Sequence, residues 1–201
     1  MQAFKEKARA RRLNAPELPA FFQALADETN ETLRDYVLVS LLTGQRKANV
    51  LAIRWDQIIL DLVEPERSAW HIPETKNGTS HSVPLAARMI ELLVRRRAAN
   101  DGSPYVFPGG GKSGHLEDPK RGWARLLERA GLIDLRIHDL RRTLASFQID
   151  TGATMATVGA TLNHQNPSTT AVYARMAQDP IRASLEMAHE AMYKRAEISR
   201  H

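Results

Sequence analysis

Apolar residues recur at helical spacing over residues 31–43, where Leu33, Val37 and Leu41 share one face with Tyr36 and Ser40 beside them. Gly44 follows at once and predicts the stop, because glycine takes the left-handed conformation without a Cβ penalty. A shorter helical pattern covers residues 17–27. Between Trp55 and Pro84 the period falls to that of strands. Ile58-Ile59-Leu60, Ala69-Trp70-His71-Ile72 and His81-Ser82-Val83 are short runs separated by turn formers. Asn77-Gly78 predicts a hairpin between the last two, since both residues tolerate positive φ. Helical spacing returns over residues 86–99, 120–130, 138–151 and 154–162, and again over 168–175. Asp179 suits the cap of a last helix with Pro180 in its first turn. Along that helix Ile181, Leu185, Ala188 and Met192 form one apolar stripe, which fits either the chain's own core or a neighbouring subunit. The expected class is mainly α with a small three-stranded antiparallel β-sheet (α+β).

Composition narrows the partners. With 43% hydrophobic residues, a chain of 201 residues can bury a full core as one domain with short extensions. The net charge of +5 favours an anionic partner, nucleic acid ahead of membrane. Lys5, Lys7, Arg9, Arg11 and Arg12 make residues 1–14 a basic lead-in that reads as a linker remnant. A second basic group holds Lys120, Arg121, Arg125, Arg129, Arg136, Arg141 and Arg142, and solvated helix faces would account for much of it. With no cysteine, disulfides and thiolate metal sites are excluded. No signal peptide or apolar run of spanning length is visible, so a cytoplasmic protein is expected.

The chemistry-bearing residues are spread along the chain. His138 and Arg141 stand three apart and share one helix face. A guanidinium there reaches two phosphate oxygens through its planar fork. Arg46, just past the Gly44 stop, can close the other side of the same phosphate. Together they would stabilise the charge that develops when phosphorus becomes five-coordinate. Tyr173 would then be the attacking nucleophile and His138 its proton acceptor, because imidazole titrates near neutrality. Lys76, beside the hairpin turn, can protonate a departing 5′ oxygen, and His164 can donate to a non-bridging oxygen. Taken singly, each has a plain structural explanation in a core, an interface or a charged surface.

Taken together they resemble the catalytic domain of tyrosine recombinases, in the phage and prophage integrase branch. The likeness runs from Glu17 to Arg175 and rests on four segments in order. These are Thr43-Gly44-Gln45-Arg46, Thr75-Lys76-Asn77-Gly78, His138-Asp139-Leu140-Arg141, and His164 followed nine residues later by Tyr173. The resemblance implies site-specific recombination, in which Tyr173 forms a 3′-phosphotyrosyl link that a 5′ hydroxyl of partner DNA reverses. The catalytic set it implies is Arg46, Lys76, His138, Arg141, His164 and Tyr173, with no cofactor, no metal and no ATP. It also implies double-stranded DNA attachment sites, a homo-tetramer on DNA, and accessory DNA-bending or directionality proteins in a bacterial or phage setting. The expected division is a lead-in over 1–14, a catalytic domain over 15–178, and a terminal helix over 179–201. The chain departs from the family at Asn49, where an acidic residue is usual, and in having no counterpart of the N-terminal DNA-clamping domain. A catalytic fragment is therefore expected, binding DNA weakly and with steep salt dependence.

Rival functions are a type IB topoisomerase, which shares the attacking tyrosine, and a DNA-binding module that keeps the fold without the reaction. His164 so near Tyr173 argues against the first, and Asn49 is the sequence feature favouring the second. Gly109-Gly110-Gly111-Lys112-Ser113 is a poor phosphate loop, because Val106 occupies the position of its first glycine. His71, His81 and His115 lack the spacing of a zinc site.

Overall fold

The computed structural model describes residues 11–73, 80–163 and 178–196, with only the backbone described for 178–180. Lys76, His164, Tyr173, the Asn77-Gly78 turn and the 168–175 helix lie outside the described residues. Helices α1 (Leu18–Ala26), α2 (Glu31–Thr43), α3 (Lys47–Leu51), α4 (Ala87–Ala98), α5 (Lys120–Arg129), α6 (Ile137–Asp150), α7 (Met155–Leu162) and α8 (Gln178–Arg195) accompany a small sheet. Its strands β1 (Ile58–Ile59), β2 (Ala69–Ile72) and β3 (His81–Pro84) run antiparallel in the order β1-β2-β3. Trp70 pairs with Ile58 on one side and Val83 on the other. The mainly α class with a three-stranded antiparallel sheet therefore stands. No described helix is long and apolar enough to cross a membrane.

α2 is the axis of the fold. It begins where the Asn30 side chain accepts from the Leu33 N–H at 3.0 Å, and it ends at Gly44, with φ of 61°. One apolar face was expected, yet Asp35, Val39, Leu42 and Thr43 are buried as well. The reason is tertiary: α4, α6 and α8 all pack on α2, so even its polar positions are covered. Burying Asp35 requires partners, and three guanidinia supply them: Arg95 at 2.8 Å, Arg96 at 3.1 Å and Arg34 at 3.2 Å.

The stripe on α8 packs in cis. Ile181, Leu185, Ala188 and Met192 are buried against α1, α2, α6 and α7. Glu186 of α8 also accepts from the Ala87 N–H at 2.7 Å, capping α4, whose own N-cap residue is an alanine. α8 starts at Gln178, one residue before the expected cap at Asp179, with Pro180 in its first turn.

The packed body starts before the expected boundary at 15. Leu13 is fully buried and its N–H donates to Thr143 Oγ1 on α6 at 2.9 Å. Arg11 is held in a two-bond fork by Glu17, at 2.7 Å for both contacts. The second basic group is likewise divided rather than continuous. Arg129 pairs with buried Glu28 at 2.6 Å, Arg142 pairs with Asp139 at 2.7 Å, and Arg141 is buried apart from both. The glycine-rich loop forms a turn in which the Gly114 N–H donates to Gly111 O at 3.1 Å, and no helix follows before Lys120.

Candidate active site

Arg46 is the N-cap of α3, on the turn that leaves α2. That turn is tightly specified. Thr43 Oγ1 donates to Val39 O at 2.7 Å and accepts from the Gln45 N–H at 3.3 Å. Buried Gln45 uses its side-chain amide to reach Thr43 O at 3.1 Å and Thr161 O on α7 at 2.9 Å. Gly44 supplies the positive φ, and a Cβ there would lie 2.9 Å from Leu162 Cδ2 and 3.0 Å from Leu144 Cδ2. Gly44→Ala is therefore expected to cost about 1–2 kcal/mol, from the left-handed penalty plus the crowding of α6 and α7. Urea denaturation of the variant reads that loss directly, and an unchanged midpoint would mean the turn relaxes freely.

His138 and Arg141 lie on one face of α6, as their spacing requires. The start of that helix is fixed by Asp139, whose carboxylate accepts from the Arg136 N–H at 2.8 Å and from Arg142. His138 lies at the first turn with its ring partly open to solvent. Partial burial, together with Arg141, Arg142 and Arg46, lowers its pKa, so at neutral pH it is a free base able to take a proton.

Arg141 is only 7% exposed, and its partners are unusual. One terminal nitrogen donates to Gly44 O at 2.7 Å and the other to Leu162 O. Those carbonyls close the C-terminal ends of α2 and α7, where a cation is favoured by the converging helix dipoles. Burial first, and then Arg46, pulls its pKa down to about 10, which leaves it charged at neutral pH. Two of five N–H donors are used in this clamp.

Arg46, His138 and Arg141 thus come from distant parts of the chain and act electrostatically on one another. Arg34, Arg54, Arg95, Arg96, Arg129 and Arg142 each pair with a carboxylate. Among the described residues no carboxylate pairs with Arg46 or Arg141. Two guanidinia that repel one another form a site whose repulsion a bound phosphate relieves.

Two residues joined to this site were not singled out from sequence. Thr161 links it to the interior, since its hydroxyl accepts from Gln148 Nε2 at 3.0 Å, which also reaches Ser184 Oγ on α8 at 3.1 Å. His81 lies against the same Thr161 backbone and feels both Arg141 and Arg46. Strand geometry puts position 81 on the same face as buried Val83, two residues on.

Residues 11–179 match the Phage integrase family, and the chain belongs to it. The chain is 31% identical over 140 residues to the integrase of Salmonella phage P22, covering 64% of this chain and 35% of that protein. It is 28% identical over 178 residues to tyrosine recombinase XerD of Rhizobium meliloti, covering 82% of this chain and 54% of the relative. In fold it resembles the integrase from mycobacterium phage Brujita, with a TM-score of 0.70 and 19% identity over 92% of this chain and 60% of that one. The chain therefore spans roughly a third to a half of these two curated relatives.

Proposed function

We propose that this chain is the catalytic region of a tyrosine-type site-specific recombinase that breaks and rejoins double-stranded DNA. The observation that carries the proposal is the convergence of Arg46 and Arg141, which pair with no carboxylate among the described residues, beside His138 with its lowered pKa. In this mechanism the two guanidinia hold non-bridging oxygens of the scissile phosphate while the Tyr173 phenol attacks phosphorus. The new bond joins the tyrosine oxygen to phosphorus, and the bond to the 5′ oxygen breaks. His138 takes the phenolic proton and Lys76 gives one to the departing 5′ oxygen, with His164 donating to the phosphate. A 5′ hydroxyl from a partner strand reverses these steps, so the bond energy is conserved in the protein–DNA link. The proposal carries with it assembly as a tetramer on attachment-site DNA and the aid of accessory proteins. It extends to a bacterial or phage-encoded protein acting in the cytoplasm. Relatives described bound to DNA, among them a lambda integrase tetramer on a Holliday junction, support the DNA and tetramer parts by fold alone.

The test uses nicked suicide duplexes built from the sequences flanking the gene, in which loss of a short strand traps the covalent species. A slow band on a denaturing gel is expected with the unaltered protein and not with Tyr173→Phe. The protein is taken as its gene encodes it. Binding of the duplex without a covalent band would overturn the proposal in favour of a binding module. Relaxation of supercoiled plasmid without strand exchange would shift it to a topoisomerase.

A further inference from the structure

Two side chains, and not Arg141 alone, join the end of α2 to the end of α7. Arg141 spans Gly44 O and Leu162 O. Gln45 spans the carbonyls one residue earlier in each helix, Thr43 O at 3.1 Å and Thr161 O at 2.9 Å. Both Gln45 bonds leave one amide nitrogen, whose two hydrogens are thereby engaged. The anchor on α7 is itself fixed, because Thr161 Oγ1 donates to Thr157 O at 2.9 Å and accepts from buried Gln148 at 3.0 Å. Arg46 follows Gln45 directly in the chain. Its carbonyl accepts from the Asn49 and Val50 N–H groups at 2.9 and 3.1 Å, which opens α3. The backbone that carries Arg46 is therefore held by Gln45 on one side and by α3 on the other. Gln45 itself is buried, and with both donors engaged it brings none to a phosphate.

Resting on the recombinase reading, we propose that Gln45 is a positioning residue for the two arginines. Its amide fixes the separation of the α2 and α7 ends. That separation sets where the Arg141 guanidinium points and where the Arg46 turn begins. Arg141 has two tasks, because two of its donors hold the helix ends and only the others are left for a phosphate. A guanidinium that bridged two helix ends alone would move with every change in their spacing. With Gln45 bridging the same ends one peptide away, the acceptors of Arg141 keep their places and its fork keeps its aim. A misplacement of about 1 Å in a group that clamps the reacting phosphate costs on the order of 10² in rate. Attraction of cations to a duplex backbone is long-ranged and tolerates the same shift. Gln45 thus acts on the chemical step and little on DNA binding.

The test compares the unaltered protein with Gln45→Met, which keeps length and volume but has no donor. Single-turnover cleavage of the suicide duplex is measured beside affinity for the same duplex by fluorescence anisotropy. Cleavage is expected to fall about 10²-fold while the dissociation constant changes by less than about threefold. Unchanged cleavage in a variant whose denaturation midpoint has dropped would make Gln45 a strut and overturn the proposal. Equal losses of cleavage and affinity would also overturn it, by placing Gln45 in binding. Should Gln45→Met fail to fold, Gln45→Asn carries the same expected split, since its amide is too short to reach both carbonyls. A second readout needs no cleavage. Each terminal nitrogen of Arg141 is held by a carbonyl, so 15N-arginine labelling is expected to give separate Nη resonances, assigned by their loss in Arg141→Lys. They are expected to merge in Gln45→Met as the clamp loosens, and resonances that stay separate and unshifted would refute the positioning role. Merged resonances in a protein that never cleaves DNA would uphold the tie between the helices and count against the recombinase reading alone.

Discussion

Arg141→Lys is expected to lower DNA cleavage on the order of 10²–10³ and to destabilise the fold in the same step. An ammonium group cannot span Gly44 O and Leu162 O as the guanidinium does, and it brings no planar fork to a phosphate. Each buried carbonyl left without its donor costs about 1–3 kcal/mol. The stability loss belongs to the clamp on α2 and α7, whereas the rate loss belongs to the transition-state charge. Guanidinium denaturation and suicide-substrate cleavage, measured on the same preparation, separate them. Cleavage retained in a destabilised variant would remove Arg141 from the chemistry. An unaltered denaturation midpoint would mean that the two helix ends find other donors. Arg46→Lys is the natural comparison, because Arg46 makes no such clamp among the described residues.

The second large effect is a pH dependence of stability that comes from His189. His189 is 1% exposed on α8, and its Nε2 donates to Leu42 O at 2.8 Å, while Nδ1 is buried without a partner. Burial holds its folded-state pKa at about 4, against an ordinary value of 6.5. Between these values the unfolded chain binds the extra proton and the folded one does not, so stability falls as pH drops from 6.5 toward 4. The gap corresponds to about 3 kcal/mol at its full extent, all of it recovered above neutrality. His81 adds in the same direction, though less, because it is only half-buried. His189→Leu is expected to be less stable at pH 7.5, having left Leu42 O without a donor, and to have a flatter pH profile. Its stability should approach that of the unaltered protein near pH 4.5. Identical slopes in the two proteins would show that His189 titrates normally and that α8 admits water there.

Much of this architecture was legible locally. The end of α2 followed from Gly44, and short runs between turn formers marked β2 and β3, because both signals are carried by neighbours in sequence. The convergence of Arg46, His138 and Arg141 was legible through the order and spacing of their segments. Other features were not, and the reasons are physical. Burial of Asp35 depends on arginines some sixty residues away, which no local period encodes. The structural part of Arg141 depends on backbone carbonyls, and every residue carries one, so nothing in the side-chain pattern marks Gly44 or Leu162 as acceptors. His81 was set aside on metal-ligand spacing, a test that asks about other histidines rather than about guanidinia.

The packing of α8 has a consequence for synthesis on the ribosome. Its residues 181–196 lie against α1 and the short 3-10 helix at Ala15–Glu17, some of the earliest described parts of the chain to emerge. They also support the pocket from behind, through Ser184 on Gln148 and His189 on Leu42 O. A nascent chain with this segment still inside the exit tunnel holds its first helices without the surface that seals them. The turn that carries Arg46 and the clamp on Arg141 are therefore completed only once this segment has emerged.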